Sequence, residues 1–242
     1  MGASCTGEVV LSEVISKGIL LLRIKLLEPQ SVAFKAGQYI ALSVPNTKKQ
    51  SYYSIASSPN RAGEIELLIK EDVTGAGSSY LFSLQVGDSL HFNMPLGTAF
   101  LQEDSEHNII FVAGASGASY IRSMIHYLDE TKQLTKRDIY YFLGAREADE
   151  LLEPEFMHQL AEKHSRFHFI PALSEQEDWD GHTGLVTDVI QKIMPENMVQ
   201  WDVYCAGSFP MVKAVAETLI EHKNIQPSRF FSDLYTPETK EA

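Results

Sequence analysis

Three short stretches of this 242-residue chain carry residue types and spacings suited to chemistry. The first, Gly114-Ala115-Ser116-Gly117-Ala118, follows the apolar run Ile109-Ile110-Phe111-Val112-Ala113 and precedes a helical pattern. A glycine turn there aims backbone N–H groups and a helix N-terminus at an anion, the usual way a pyrophosphate is held. Two other readings stay open for the same residues. One is a plain strand-to-helix turn. The other is a nucleophile elbow, with Ser116 in Gly-x-Ser-x-Ala where Gly-x-Ser-x-Gly is expected. That elbow makes a serine hydrolase the rival enzyme; the late histidine it needs would be His222, in a charged Glu-His-Lys-Asn stretch.

The second stretch, Gln50 to Pro59, sets an aromatic beside a hydroxyl at Tyr53-Ser54. A flat heteroaromatic ligand needs a stacking face and a donor in its plane, and this pair offers both; an aromatic facing a barrel core is the alternative. The third, Gly75-Ala76-Gly77-Ser78-Ser79-Tyr80-Leu81, is another glycine turn into a short helix, hence a second phosphate cradle. His164 and His168 straddle a helix-to-strand change outside any His-Glu-x-x-His context, so no metal site is expected.

These stretches lie in two parts of different grammar. From Thr6 to Met94 the chain reads as short β-rich runs, Glu8 to Val14, Ile19 to Leu26, Gln38 to Val44, Ser51 to Ala56, Glu64 to Ile69 and Ser89 to Met94, with one short helix over Ser78 to Leu84. Six evenly spaced strands predict a small antiparallel barrel. After Gln102, apolar strands (Asn108 to Ala113, Asp138 to Leu143, Arg166 to Leu173, Asp202 to Ala206, Arg229 to Phe231) alternate with helices. Ile121, Met124, Ile125 and Leu128 fall at helical spacing, as do Val186, Val189, Ile190 and Ile193. This is a five-stranded parallel sheet covered by helices, a Rossmann-like arrangement. The polar Leu101 to Asn108 stretch reads as the linker between domains 1–102 and 103–242.

Net charge is −12, from 20 basic and 32 acidic residues, so a nucleic-acid backbone is an unfavourable partner. The first 102 residues hold 8 of each sign, so the whole acidic excess lies in the second part. Two cysteines, Cys5 and Cys205, are too few for a disulfide framework or an iron–sulfur cluster and point to a reducing cytoplasm. The longest aliphatic run, Ile19 to Leu22, excludes a spanning helix, and no membrane association is expected. Met1-Gly2-Ala3-Ser4-Cys5-Thr6 fits a myristoylation template, but no polybasic patch follows and a strand begins by about Gly7, so it is read as coincidence.

In order and spacing together, the motifs resemble the ferredoxin-NADP reductase superfamily over nearly the whole chain. Ser51-Tyr52-Tyr53-Ser54 lies over the family's Arg-x-Tyr-Ser flavin motif, Gly75 to Leu81 over its Gly-x-x-Ser-x-x-Leu, and Pro95-Leu96-Gly97 over the residues that close the barrel. In the second part, Gly144-Ala145-Arg146 matches a Gly-x-Arg, Gly181-His182-Thr183-Gly184 a glycine pair, and Tyr204 to Met211 the fourth-strand motif. The alanine at 206 and the ending Phe231-Ser232-Asp233-Leu234-Tyr235 look most like the NAD(P)H:flavin reductase branch.

The resemblance implies an oxidoreductase passing a hydride from NADH to N5 of FAD, FMN or riboflavin, which then reduces a downstream acceptor. Ser54 would hydrogen-bond near N5 and Tyr53 would pack along the ring, these two being the catalytic candidates. Ser51, Tyr52, Ile69, Gly75, Gly77, Ser78, Ser79 and Tyr235 complete the implied flavin site. Gly114, Ser116, Gly117, Gly144, Arg146, Ala206, Gly207, Phe209 and Met211 form the implied nicotinamide site.

Departures from the pattern sharpen these expectations. Ser51 replaces the arginine that pairs with a flavin phosphate, a charge-assisted contact worth roughly 1.5 to 3 kcal/mol. Lys48, Lys49 and Arg61 are the cations available to compensate. Cys205 stands one place before Ala206, on the opposite face of its strand, and reads as a buried structural thiol. Ser174 is followed by Glu175, with Glu177, Asp178 and Asp180 close by, where NADP-using relatives place an arginine; carboxylates repel a 2′-phosphate, so NADH is expected over NADPH. Two alternatives to a free-flavin reductase are a subunit with bound FAD relaying electrons to an oxygenase or ferredoxin, and a non-catalytic nucleotide-binding module.

Overall fold

The computed structural model describes residues 2–47, 50–61, 63–114, 117–176 and 178–237. The chain forms two compact units, Met1–Leu101 with Arg122–Tyr127, and Gln102–Ile121 with Leu128–Ala242.

In the first unit, β1 (Ala3–Ser16) and β2 (Ile19–Glu28) form a hairpin whose turn places Gly18 at φ 68°, a region open to glycine without cost. There follow β3 (Tyr39–Ser43), β4 (Gln50–Ser54), β5 (Glu64–Lys70), helix α1 (Ala76–Ser83) and β6 (Ser89–Leu96). The antiparallel order is β4-β3-β6-β1-β2-β5, and an Ile55↔Leu67 bridge joins the two edges into a barrel. Because β6 returns between β3 and β1 rather than beside β5, the connection is a Greek key.

Period-2 alternation sends Leu20, Leu22, Ile24 and Leu26 of β2, and Ile65, Leu67 and Ile69 of β5, into one core with Ile40, Leu42, Phe92 and Met94. Burying each such side chain stabilises the unit by about 1.5–3 kcal/mol. Cys5 lies in the same core.

The second unit runs β7 (Asn108–Gly114), α2 (Ala118–Glu130), β8 (Ile139–Ala145), a 3-10 turn Ala148–Glu150, α3 (Pro154–Lys163), β9 (Phe167–Leu173), β10 (His182–Thr183), α4 (Val186–Ile193), β11 (Trp201–Ala206), α5 (Phe209–His222) and β12 (Phe230–Phe231). Its parallel order is β10-β9-β8-β7-β11-β12. The sheet has six strands where the sequence predicts five. The addition is β10, whose two residues pair with Ala172 and Leu173 at the sheet edge; a strand that short, between Gly181 and Gly184, has no hydrophobic run to announce it.

One face of this sheet buries Ile110, Val112, Phe142, Ile170, Val203 and Cys205 against Val186, Val189 and Ile190 of α4 and Val212, Val215, Ala216 and Leu219 of α5. The residues between them, Ile109, Phe111, Tyr141, Leu143 and Tyr204, are buried on the other face, where His158 of α3 packs edge-on to Phe169 of β9 at 5.0 Å. Ile121, Met124, Ile125 and Leu128 are all buried, as their spacing requires.

The stretch expected as a linker is held to the second unit. The Gln102 N–H donates to the Tyr204 hydroxyl at 2.9 Å, and the Arg137 guanidinium donates to the carbonyls of Ser105 and His107. Among the described residues, no helix is long and apolar enough to cross a membrane.

Candidate functional site

The β4 register places Ser51 opposite Leu42, Tyr53 opposite Ile40 and Ser54 opposite Tyr39. Ser51 and Tyr53 share one face of the strand, two residues apart, and their hydroxyls are hydrogen-bonded to each other. Burial pushes the Tyr53 phenol above its ordinary pKa, the Ser51 bond opposes that, and the Asp72 carboxylate adds to it. Tyr52 points the other way, exposed and edge-on to Tyr39 at 5.7 Å.

The start of α1 packs directly onto this pair. A β-carbon at Gly77 would collide with the Ser51 side chain and come within 2.6 Å of the Tyr53 hydroxyl, so only glycine lets helix and strand approach this closely. Gly75, the residue before α1, has no side chain with which to cap the first-turn N–H groups.

Charge at this helix start is negative. The Asp72 carboxylate takes the backbone N–H (2.9 Å) and hydroxyl (2.7 Å) of Thr74, and a β-carbon at Gly75 would lie 2.8 Å from its other oxygen. These bonds hold Asp72 below the ordinary carboxylate pKa. Ser78 turns inward, accepting from the Asp72 N–H at 3.0 Å and donating to the Lys70 carbonyl at 3.2 Å. Its hydroxyl therefore ties the β5-to-α1 loop. Ser79 is exposed, and Ile69 belongs to the barrel core. The chemistry of this cradle fits the ring of a flavin better than its phosphate: an aromatic, two hydroxyls and an open helix turn, with a carboxylate where a phosphate would want a cation. Lys48 and Lys49 lie outside the described residues, and Arg61 is engaged with Glu66.

Glu66 carries no signal in the sequence, where it reads as an outward position of an alternating strand. It is 2% exposed. Burial alone would raise its pKa, but the guanidiniums of Arg122 (2.8 Å), Arg23 (2.8 Å) and Arg61 (2.9 Å) hold it below the ordinary carboxylate value. Arg122 also donates to the Ala56 carbonyl at 2.9 Å and Ser123 to the Ser57 carbonyl at 2.7 Å, while the Ser57 hydroxyl accepts from the Glu66 N–H. The chain just beyond Ser54 is thus fixed by a charged network.

In the second unit, the sheet order reverses between β7 and β11, the place where open parallel sheets present a crevice at their carboxyl ends. Gly114 ends β7 and Ala206 ends β11, paired with Ala113. A β-carbon at Gly117 would overlap the Ala206 carbonyl and sit 2.7 Å from the Gly207 nitrogen. The Met211 sulfur rests over two glycines, 3.0 Å from a β-carbon position at Gly114 and 2.9 Å from one at Gly207. Gly114, Gly117, Ala206, Gly207 and Met211 therefore converge. Ser116 and Ala115 lie outside the described residues. Phe209, exposed at the start of α5, meets Tyr235 edge-on at 6.2 Å, and Tyr235 also meets Phe230 at 6.4 Å.

A second group surrounds the end of β8. Gly144 pairs with Gly114 and Ala172, and its β-carbon position is 3.5 Å from Val186, an ordinary contact. The Ser174 N–H donates to the Ala145 carbonyl and the Glu175 N–H to that of Arg146, each at 3.0 Å, so the loops after β8 and β9 run side by side. Arg146 pairs with Glu150, a residue the sequence reading leaves unremarked.

Of the pair that the hydrolase alternative needs, Ser116 lies outside the described residues and only His222 is placed. His222 ends α5, about 20 Å along the helix axis from Phe209, which starts beside the glycine crevice. Among the described residues no group of three or more His, Cys, Asp or Glu side chains could hold a metal.

Two family models match the chain in succession. Residues 6–100 match the oxidoreductase FAD-binding domain and residues 111–217 the oxidoreductase NAD-binding domain. The NAD(P)H-flavin reductase of Aliivibrio fischeri is 34% identical over 219 residues, covering 88% of this chain and 91% of that protein; the one of Vibrio harveyi is 34% identical over 223 residues, covering 87% and 90%. The phenol hydroxylase P5 protein of Acinetobacter pittii is also 34% identical, over 90% of this chain, but the chain spans only 63% of that protein's length. Among solved structures, an Amycolatopsis cytochrome P450 reductase superposes with a TM-score of 0.86 at 24% identity, covering 97% of this chain and 70% of that one. The FAD/NAD-binding domain of the Vibrio cholerae nitric oxide dioxygenase gives 0.82 at 19%, covering 96% and 99%.

Proposed function

Because the chain belongs to the family of FAD- and NAD-binding oxidoreductases that includes the NAD(P)H-flavin reductases, we propose that it oxidises NADH and reduces free flavin, taken up and released as a substrate. The reduced flavin then passes electrons to a downstream acceptor. The observation that carries this reading is the Ser51–Tyr53 hydroxyl pair seated under Gly77 beside Asp72. That arrangement offers a ring and its ribityl chain a surface, and it offers a phosphate a carboxylate instead of an arginine.

With both nucleotides bound, the chemistry supplied would be transfer of a hydride from the nicotinamide to N5 of the flavin. Tyr53 would give the ring a stacking face, and the Ser54 hydroxyl would donate at the ring edge. Gly114 and Gly117 leave room for the dinucleotide pyrophosphate at the start of α2, while Ala206, Gly207 and Met211 shape the seat of the nicotinamide. Residues 1–102 form the flavin domain and 103–242 the nicotinamide domain. Glu175, bonded into the Arg146 loop, selects NADH by repelling a 2′-phosphate. Two free, buried cysteines suit a reducing cytoplasm.

A second reading is favoured by relatives that are reductase components, such as that of the phenol 2-monooxygenase of Pseudomonas, of which the chain spans 63%. In it the flavin stays bound and electrons pass to a partner protein. An absorbance spectrum of the purified protein between 300 and 600 nm, followed by NADH with and without added flavin, separates the two. Colourless protein that oxidises NADH only with added flavin supports the first; yellow protein bleached by NADH supports the second; no turnover under either condition rejects both.

A further inference from the structure

Arg146 is the cation that the loop after β8 presents at its carboxyl end. It is already engaged. Its Nε and Nη2 both donate to the Glu150 carboxylate, four residues on, and its backbone N–H donates to the same carboxylate at 3.1 Å. One acid thus takes three donors from one residue. Glu150 lies in the 3-10 turn Ala148–Glu150 and is 9% exposed, so it cannot swing into solvent without unmaking that turn.

The surroundings reinforce the pairing. The hydrogen bond and charge of Glu150 raise the guanidinium pKa, and the negative charges of Glu175 and then Glu147 add to the rise. One cation thus stands among three carboxylates. The Ser174–Gln176 loop is locked in place beside it, since Ala148 N–H donates to the Gln176 side chain at 2.9 Å and Glu175 N–H to the Arg146 carbonyl.

We propose that Glu150 is a specificity-determining residue of the nicotinamide site, which by holding Arg146 as an internal ion pair withholds it from a 2′-phosphate and so excludes NADPH. This rests on the reading of the chain as a nicotinamide-dependent reductase. A phosphate that took Arg146 would leave Glu150 buried without that guanidinium, and one that did not would face the negative charge of Glu150, Glu175 and Glu147. A ribose 2′-hydroxyl meets neither difficulty, because it can donate to a carboxylate where a phosphate cannot.

The test measures dissociation constants of 2′,5′-ADP and 5′-ADP by titration calorimetry, alongside kcat/KM with NADPH and NADH. Glu150→Gln removes the charge and keeps an oxygen for the Arg146 N–H. It is expected to tighten 2′,5′-ADP relative to 5′-ADP by about tenfold, and to shift the NADPH to NADH ratio of kcat/KM by a similar factor. Adding Arg146→Ala to that variant should erase the gain. Equal changes for both ligands in Glu150→Gln would show that the residue only shapes its turn, and would overturn the proposal. Arg146→Ala in the native background tests it without Glu150 variants: the ratio of the two affinities stays within about twofold if the arginine is withheld, and a tenfold loss for 2′,5′-ADP alone refutes it. Failure of the native protein to bind either ligand would instead overturn the nicotinamide reading itself, and the proposal with it.

Discussion

Gly77 stands against Ser51 with no space for a single methyl group between helix and strand. Two hydroxyls, from Ser51 and Tyr53, share the ground beneath the first turn of α1. Gly77→Ala must push α1 away from β4, which costs about 1–3 kcal/mol by overpacking. We expect a lower urea midpoint and a rise in the KM for riboflavin of about tenfold, with the KM for NADH little changed. An unchanged flavin KM in a destabilised variant would place the flavin elsewhere.

Ser51→Arg places a cation at the helix start, at a cost of about 1–3 kcal/mol from the tight packing under Gly77. A charge-assisted bond to phosphate should then improve FMN and FAD over riboflavin by about tenfold, and flavin should begin to co-purify with the protein. If all three flavins change in parallel, the flavin phosphate does not lie at this turn.

The glycines of the second unit differ from one another in a way that can be measured. Gly117→Ala must displace the Ala206 carbonyl, a backbone group that cannot rotate aside, and should cost about 1–3 kcal/mol with weaker binding of 5′-ADP. Gly144→Ala meets Val186 at an ordinary 3.5 Å and should keep its thermal stability within about 1 kcal/mol. Equal melting temperatures for the two variants would contradict the close packing of Gly117 on β11.

The Glu66 network sets an acid limit. Its folded pKa is lowered from 4.5, so its contribution is complete above that value and is lost as pH falls through the lower folded value. Denaturant midpoints should therefore hold above pH 4.5 and fall progressively as the pH is taken below it. Glu66→Gln leaves three guanidiniums around a neutral group, so it should destabilise the protein by about 3–5 kcal/mol at neutral pH and flatten that part of the profile.

The strands of the barrel and the faces of α2 and α4 were legible because each buries side chains at one period, as Leu20, Leu22, Ile24 and Leu26 do. β10 was not, since two residues define no period. Glu66 alternates correctly with Ile65 and Leu67, and nothing in a linear pattern tells an outward acid in water from one beneath three arginines. Glu150 fails for a related reason: Arg and Glu four apart usually mark an exposed helix pair, and only the turn at Ala148–Glu150 makes the acid a buried receptor for the arginine. Glycine motifs mark close approaches without saying what approaches, so the sequence could not show that Gly77 meets two hydroxyls and Gly117 a carbonyl.

Cys5 sits in the barrel core and Cys205 under the parallel sheet against α5, and burial raises the pKa of both thiols. Neither offers a thiolate to a maleimide or iodoacetamide under native conditions. The folded protein is in effect a silent background for thiol chemistry. A single cysteine introduced on either unit can therefore carry a fluorophore or spin label with no native site to remove, so the movement of each unit on nucleotide binding can be followed in the otherwise natural chain.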